Sequence, residues 1–444
     1  MNNLEFHLKD YHAINCADIT IKGITVLAGY NGCGKSTISR WLYYIIKNSC
    51  NFDDYLIKNC INRLLDECYE LDRIVPHYKD NRSLFSHLRI NSKNITTYDE
   101  LESFYKELKT LFKDYAKDFF IFLQKEKNQL SSERIKFYLF RFFNSRNKAE
   151  FKSEDECYDF MTARIQQIYN DCLKQQKKRN LTSFKDSIKI SNAETDEFPK
   201  FINLKEYGYD IIEDKRVNRP LSIDKALYID TPMIVGLNFP HTSTYTSDNN
   251  AIPCHWIDLN KQLLKPNTSL HIPDEARLVI KLIAKELNGE IELKKHRLLP
   301  NNIELHYKRK EDELDIPLSK IATGMKSLSY LIPLLQNGAL NSKTVLIVDE
   351  PEAHLHPIWE NFYAKILVLL HKYLGVKVVI ASHSPVMVAS IHAWAQHHKL
   401  AKMCSFYQAK EVTSNKYDFK QTKNLSGIFK SFNLAYTFMP SDKA

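Results

Sequence analysis

The chain has 444 residues, 44% of them hydrophobic and 12% aromatic, enough to bury a sizeable core and to exclude a largely disordered protein. A formal net charge of +9 permits contact with a polyanion without demonstrating one, and no apolar run approaches the ~20 residues that span a bilayer. The nine cysteines form no C-x-x-C pair, which argues against a zinc knuckle or a secreted disulfide scaffold, and Met1–Glu5 lacks the start of a signal peptide, so a cytoplasmic chain without membrane contact is expected.

Residues 1–48 read as strand, turn, strand, glycine loop and helix. Leu4, Phe6 and Leu8 alternate, a turn passes through Asp10-Tyr11-His12, and Ala17–Ile21 forms a second strand. The apolar run Ile24–Ala28 reads as a buried strand, and Ser39–Ile46 as the first turns of a helix. Between them Gly29-Tyr30-Asn31-Gly32-Cys33-Gly34-Lys35-Ser36-Thr37 fits the P-loop pattern G-x-x-x-x-G-K-[ST] at every fixed position. A strand, a glycine loop and a helix N-terminus make an anion cradle, because backbone N–H groups and the positive helix end point at phosphate. Asn31 to Thr37 are therefore the expected nucleotide-binding residues, with Lys35 reaching the β- and γ-phosphates and Ser36 ligating Mg²⁺.

From residue 49 to 222 strand signals become rare and a helical insertion is expected. Leu101, Phe104, Tyr105, Leu108, Leu111, Phe112, Tyr115, Phe119 and Phe122 recur at three- and four-residue steps, which predicts one apolar stripe packed in a core. Further helical patterns run through Ile135–Phe140 and Ile165–Leu173. The cluster Lys174, Lys177, Lys178 and Arg179 reads as a C-terminal helix charge bias or as a phosphate-contacting patch.

Strand signals return at 223. Ala226–Ile229 is a strand that ends at Asp230-Thr231, and a polar loop follows from His241 to Asn250. A helix is predicted over 274–287, half-exposed strands at Gly289–Leu293 and Asn302–Tyr307, and a helix over 318–336 entered through a glycine loop. The runs 344–348 and 376–381 are continuously apolar, the mark of a sheet covered on both faces and hence of an α/β fold. The first leads into Asp349-Glu350, a Walker B pattern: Asp349 would hold Mg²⁺ opposite Ser36, and Glu350 would polarise the attacking water as general base. The second leads into Ser382-His383-Ser384-Pro385, which places His383 at the γ-phosphate. Glu352, His354 and His356 are metal-ligand types, but no third ligand with supporting geometry accompanies them, and they read instead as the loop after Walker B.

The P-loop, the DEPE-x-HLHP stretch from Asp349 to Pro357 and Ser382–Pro385 together resemble the ABC-type ATPases of the SMC, RecF and overcoming-lysogenization-defect group. Asp10–Ile14 stands where that group has its Asn-Phe-Lys-Ser-Ile turn, and the resemblance covers residues 1–48 and 223–400, the two halves of one ATPase head. Residues 401–444 are then a strand and helix extension of the head, with strands at Cys404–Tyr407 and Tyr417–Phe419 and a last helix near Ile428–Tyr436.

The resemblance implies ATP and Mg²⁺ as cofactors, with Lys35, Glu350 and His383 as the catalytic residues of a slow ATPase. It also implies a head-to-head dimer or higher even oligomer in which a signature loop of one head closes the site of the other. Ile321–Ser327 stands in the signature's place, with Ala322 at the usual serine and Thr323 and Gly324 as the groups left to reach a phosphate. The family's Q-loop glutamine is not evident, and Asp230-Thr231 is the candidate for that region.

Relatives that cut nucleic acid carry a Toprim domain after the head, and the stretch past Leu400 is short for one and lacks a cluster of acids. The arrangement resembles the ATPase subunits of bacterial antiphage systems such as Septu, Septu-like retrons and PARIS. The expected role is a sensor of phage nucleic acid or a phage protein that controls a separate HNH or Toprim nuclease. The alternatives are a RecF/SMC-like DNA-repair ATPase acting directly on DNA, and an anticodon-nuclease type with its own RNase site in the insertion. His77 and Glu154–Glu156 provide residues of the right kind for the last, but no spacing that compels it.

Overall fold

A computed structural model of the chain describes residues 3–74, 92, 95–126, 153–178, 181–191, 198–206, 209–210, 222–231, 254–266, 272–295 and 303–433. It divides into two compact units, Met1–Cys50 with Phe184–Ala444, and Asn51–Ser183.

The first unit is built on a ten-stranded mixed sheet, and its α/β class is the one expected from the apolar runs. The strands are β1 (Leu4–Tyr11), β2 (Ile14–Ile21), β3 (Ile24–Ala28), β4 (Phe201–Glu206), β5 (Tyr209–Asp210), β6 (Lys225–Ile229), β10 (Thr344–Asp349), β11 (Lys377–Ser382), β12 (Cys404–Thr413) and β13 (Lys416–Thr422). Their order is β5-β4-β1-β2-β13-β12-β3-β11-β10-β6. From β12 to β6 neighbouring strands run parallel. Every residue of β3, β10 and β11 is buried, as a strand with helices on both faces requires. A separate antiparallel sheet contains β7 (Glu290–Lys295), β8 (Ile303–Arg309) and β9 (Leu314–Pro317).

Helices of this unit are α1 (Lys35–Cys50), α6 (Cys254–Leu263), α7 (Asp274–Leu287), α8 (Thr323–Ser329), α9 (Leu331–Gln336), α10 (Pro357–Leu374), α11 (Pro385–His397) and α12 (Ser426–Asn433). The single helix expected over 318–336 is broken: a 3-10 turn precedes α8, and α8 gives way to α9 at Tyr330. Pro333 explains the break, since it has no N–H to continue the ladder from α8. Helix α10 starts on Pro357 and stops at Gly375 in the left-handed conformation (φ 69°), and α11 starts on Pro385 with the Ser384 hydroxyl as N-cap. The core of the parallel region joins β3, β10 and β11 to α7, α9, α10 and α11.

The second unit holds α2 (Phe52–Ile74), α3 (Tyr98–Glu126) and α4 (Glu154–Lys178), and α5 (Leu181–Ser191) spans the boundary. The aromatic stripe of α3 is core: Leu101, Phe104, Leu108, Phe112, Tyr115 and Phe119 are all buried. Tyr105 stacks on Tyr169 of α4 with ring centroids 4.3 Å apart. The helical patch expected at Ile135–Phe140, His77, Arg179 and the loop from His241 to Asn250 lie outside the described residues.

One expected boundary changes. The helical unit ends at Ser183 rather than at 222, because β4 pairs with β1 and so belongs to the head sheet. The C-terminal strands extend the head from within its sheet rather than at an edge: β12 pairs with β3 and β13 with β2.

Candidate functional site

Three parallel strands deliver the site. Ala28 at the end of β3 is level with Ser382 of β11, and Ala381 is level with Asp349 of β10. The glycine loop, the two acids and His383 therefore emerge from one edge of the sheet, where α/β folds bind ligands.

The loop needs its glycines. Gly32 and Gly34 have φ of 82° and 98°, which L side chains rarely adopt. A Cβ on Gly34 would also stand 2.7 Å from Ile14 Cγ1. Lys35, the first residue of α1, is buried, and its ammonium donates to the carbonyl oxygens of Gly29 (2.9 Å) and Tyr30 (2.8 Å). Cys33 is buried against Gly29 and does not line the cleft, and burial pushes its thiol pKa up.

The cleft has a volume of about 430 Å³. Asn31, Gly32 and Gly34 to Thr37 line one wall, and Glu350 lines it from β10. It extends between the β1–β2 turn (Tyr11 to Ala13) and the α1 face carrying Arg40, Trp41 and Tyr44. These wall residues were not among the sequence-predicted set, although Thr37, Arg40, Trp41 and Tyr44 follow the spacing of a single helix face.

Asp349 is buried at the end of β10. Its Oδ2 accepts a hydrogen bond from the Tyr228 hydroxyl at 3.0 Å, while Oδ1 has no hydrogen-bond partner among the described residues. Burial raises its pKa against the pull of the Ser36 and Tyr228 hydroxyls, and Glu350 beside it adds to the rise while Lys35 opposes it. Glu350 takes a left-handed backbone (φ 47°), its N–H donating to Ala381 O at 2.8 Å, and this turns its side chain away from the strand direction.

His383 Nδ1 stands 3.5 Å from Glu350 Oε1 and 3.2 Å from Glu352 Oε1. Glu352 is the hub of this loop, a role sequence reasoning missed. Its Oε1 accepts from the Ser382 hydroxyl (2.8 Å), His383 N (2.7 Å) and Ser384 N (3.1 Å). Ser384 Oγ in turn donates to Glu360 at 2.6 Å. Glu352 is thereby committed to the β11 loop, and among the described residues no three His, Cys, Asp or Glu side chains are placed to hold a metal.

Thr323 and Gly324 are not brought to this cleft. Gly324 lies with Ala322, Met325, His354, His356, Ile358 and Trp359 around a separate depression, and a Cβ there would meet His354 O at 3.0 Å. Asp230 has no free oxygen: Oδ2 is 2.8 Å from His255 Nε2 and Oδ1 accepts from Trp256 Nε1 at 2.7 Å.

The sequence matches the family described as AAA ATPase domain over residues 4–388. The chain belongs to that family. This ATPase domain is also similar to solved Smc heads. One is the Smc head domain with an extended coiled coil bound to the C-terminal domain of ScpA, from Pyrococcus furiosus: 11% identity, covering 98% of this chain and 100% of that one, TM-score 0.35. Another is the Smc head domain with a coiled coil and joint from Pyrococcus yayanosii: 13% identity, 90% and 59% coverage, TM-score 0.28. A third is an SmcHead bound to the C-winged helix domain of ScpA: 15% identity, 34% of this chain and 44% of that one, TM-score 0.26. All three are remote, and this ATPase domain spans less than two thirds of the last two. The α/β assignment stands on the sheet order, and the ATPase assignment on the family match. No described helix is long and apolar enough to cross a membrane.

Proposed function

We propose that this chain is a magnesium-dependent ATP hydrolase that completes its site by pairing with a second copy. The observation that carries the reading is one cleft lined by the P-loop and Glu350, next to which Asp349 ends β10 with a buried Oδ1 that has no hydrogen-bond partner among the described residues. A buried acceptor without a partner costs about 1–3 kcal/mol, a cost that a cation removes, so the residues fit Mg²⁺.

The backbone of Asn31 to Thr37 cradles the phosphates, and Lys35 exchanges the carbonyls of Gly29 and Tyr30 for phosphate oxygens. Ser36 and Asp349 hold the metal, which when bound neutralises the charge that develops on the transferred phosphoryl group. Glu350 accepts the proton of the attacking water, and His383, within reach of Glu350, orients at the γ-phosphate. Thr323 and Gly324 lie away from their own chain's cleft, and they close the site of a second copy.

Glu352 holds His383 in place. Glu352→Ala leaves Ser382 Oγ and the His383 N–H without their acceptor and the Ser384 N–H with Ser382 Oγ alone. Turnover is expected to fall about 100-fold, the usual effect of misplacing a reacting group by ~1 Å, with ATP affinity retained. Steady-state hydrolysis beside equilibrium nucleotide binding checks this, and a parallel loss of both would contradict it.

The regulatory role, restraint of a separate nuclease by the closed pair of heads in antiphage defence, is supported by the motif resemblance alone. Phosphate release by the purified chain, followed from nanomolar to micromolar protein, tests the enzymatic reading. Turnover per head should rise with concentration and require Mg²⁺; a rate that is flat in protein contradicts the paired site. Co-expression with a candidate HNH or Toprim nuclease, wild type against Glu350→Gln, tests the regulatory role, and toxicity indifferent to the substitution contradicts it.

A further inference from the structure

We infer that Tyr228 is a positioning residue that presets Asp349 for the metal, an inference that rests on the magnesium reading above. β6 runs parallel to β10, and Tyr228 stands opposite Ile347, two residues before Asp349. Its hydroxyl donates to Asp349 Oδ2 at 3.0 Å. The phenol cannot easily turn away, since Tyr228 is 1% exposed and its ring lies 4.6 Å from that of His255 and 5.9 Å from that of Tyr43.

His255 is itself fixed. Its side chain is fully buried, and Nε2 lies 2.8 Å from Asp230 Oδ2. Asp230 is secured at its other oxygen by Trp256 Nε1. A continuous set of buried and half-buried contacts from α6 through β6 thus fixes the ring that carries this hydroxyl.

The consequence falls on Asp349. A carboxylate free to rotate about its last side-chain bond offers either oxygen and loses that freedom when it ligates. The Tyr228 donor commits Oδ2 and leaves Oδ1, which has no hydrogen-bond partner among the described residues, available to a ligand. Tyr228 does not line the nucleotide cleft, and its hydroxyl acts through Asp349, the neighbour of cleft-lining Glu350. Partners that orient a metal-binding side chain are generally worth about 10–100-fold in metal affinity.

The test is a Mg²⁺ titration of fluorescent-ATP binding by the full chain, starting from EDTA, for wild type, Tyr228→Phe and Asp349→Asn. Tyr228→Phe should need about tenfold more Mg²⁺ for half-saturation, while its metal-free nucleotide affinity stays within about twofold of wild type. A purely structural role would move both affinities together. If Tyr228→Phe titrates like wild type while Asp349→Asn loses the Mg²⁺ response, the role of Tyr228 is overturned and the metal site stands. If Asp349→Asn also titrates like wild type, the magnesium reading itself fails. Should Tyr228→Phe not fold, 3-fluorotyrosine at 228 keeps the ring and strengthens the donor. It should shift the Mg²⁺ requirement while leaving the metal-free nucleotide affinity unchanged, and an unchanged requirement overturns the inference.

Discussion

Glu350→Gln lowers phosphate release at saturating ATP by about 100-fold or more, with ATP affinity within about threefold of wild type. The side chain keeps its length and its place in the cleft wall, and the amide cannot take a proton from water. The left-handed turn at residue 350 is fixed by the Glu350 N–H bond to Ala381 O, which the substitution leaves intact. The neighbours are undisturbed as well, because Glu352 rather than Glu350 carries the hydrogen bonds of the β11 loop. Single-turnover hydrolysis beside equilibrium binding of a fluorescent nucleotide separates the two effects. Hydrolysis within tenfold of wild type would show that another group is the base.

Lys35→Ala acts at the opposite step. The ammonium is buried and held on two loop carbonyls, so it is prepaid in position for phosphate. Removing one partner of a buried charge pair costs about 2–5 kcal/mol, which predicts a loss of ATP affinity of roughly 30-fold to several thousand-fold. The fold should survive, because α1 packs on the sheet through residues such as Ile38, Leu42, Ile45 and Ile46, not through Lys35. Isothermal titration with ATP and Mg²⁺, on protein whose melting temperature has been checked, measures the effect. Unchanged affinity would mean that Lys35 stays with Gly29 and Tyr30 when nucleotide binds.

The contrast between these two residues and Glu352 shows what a sequence can and cannot disclose. Lys35, Ser36, Asp349 and Glu350 belong to contiguous motifs, since a loop between a strand and a helix, or a strand that ends in acids, is specified by neighbours in the chain. The role of Glu352 depends on donors about thirty residues away, and that of Tyr228 on the register of β6 against β10. Such pairings are fixed by packing across the sheet, which periodicity does not encode. Asp230 illustrates the converse: its place after a strand pointed to the nucleotide, yet His255 and Trp256 occupy both its oxygens.

Continuous apolar runs disclosed β3, β10 and β11, because burial on both faces leaves a local mark. The insertion of β12 and β13 into the middle of the sheet, and the return of β4 beside β1, are non-local choices with no such mark. In β4 only alternate residues are buried, so its six residues carry no continuous apolar run to set them apart from the helical stretch before them.

The most direct test of the paired, ATP-closed head is the mass of the Glu350→Gln chain in solution, measured by light scattering with and without ATP and Mg²⁺. The account predicts a stable even-numbered oligomer that accumulates only with ATP, because the closed pair forms and cannot hydrolyse its way open. A chain that binds ATP under these conditions and keeps the mass it has without nucleotide would contradict it.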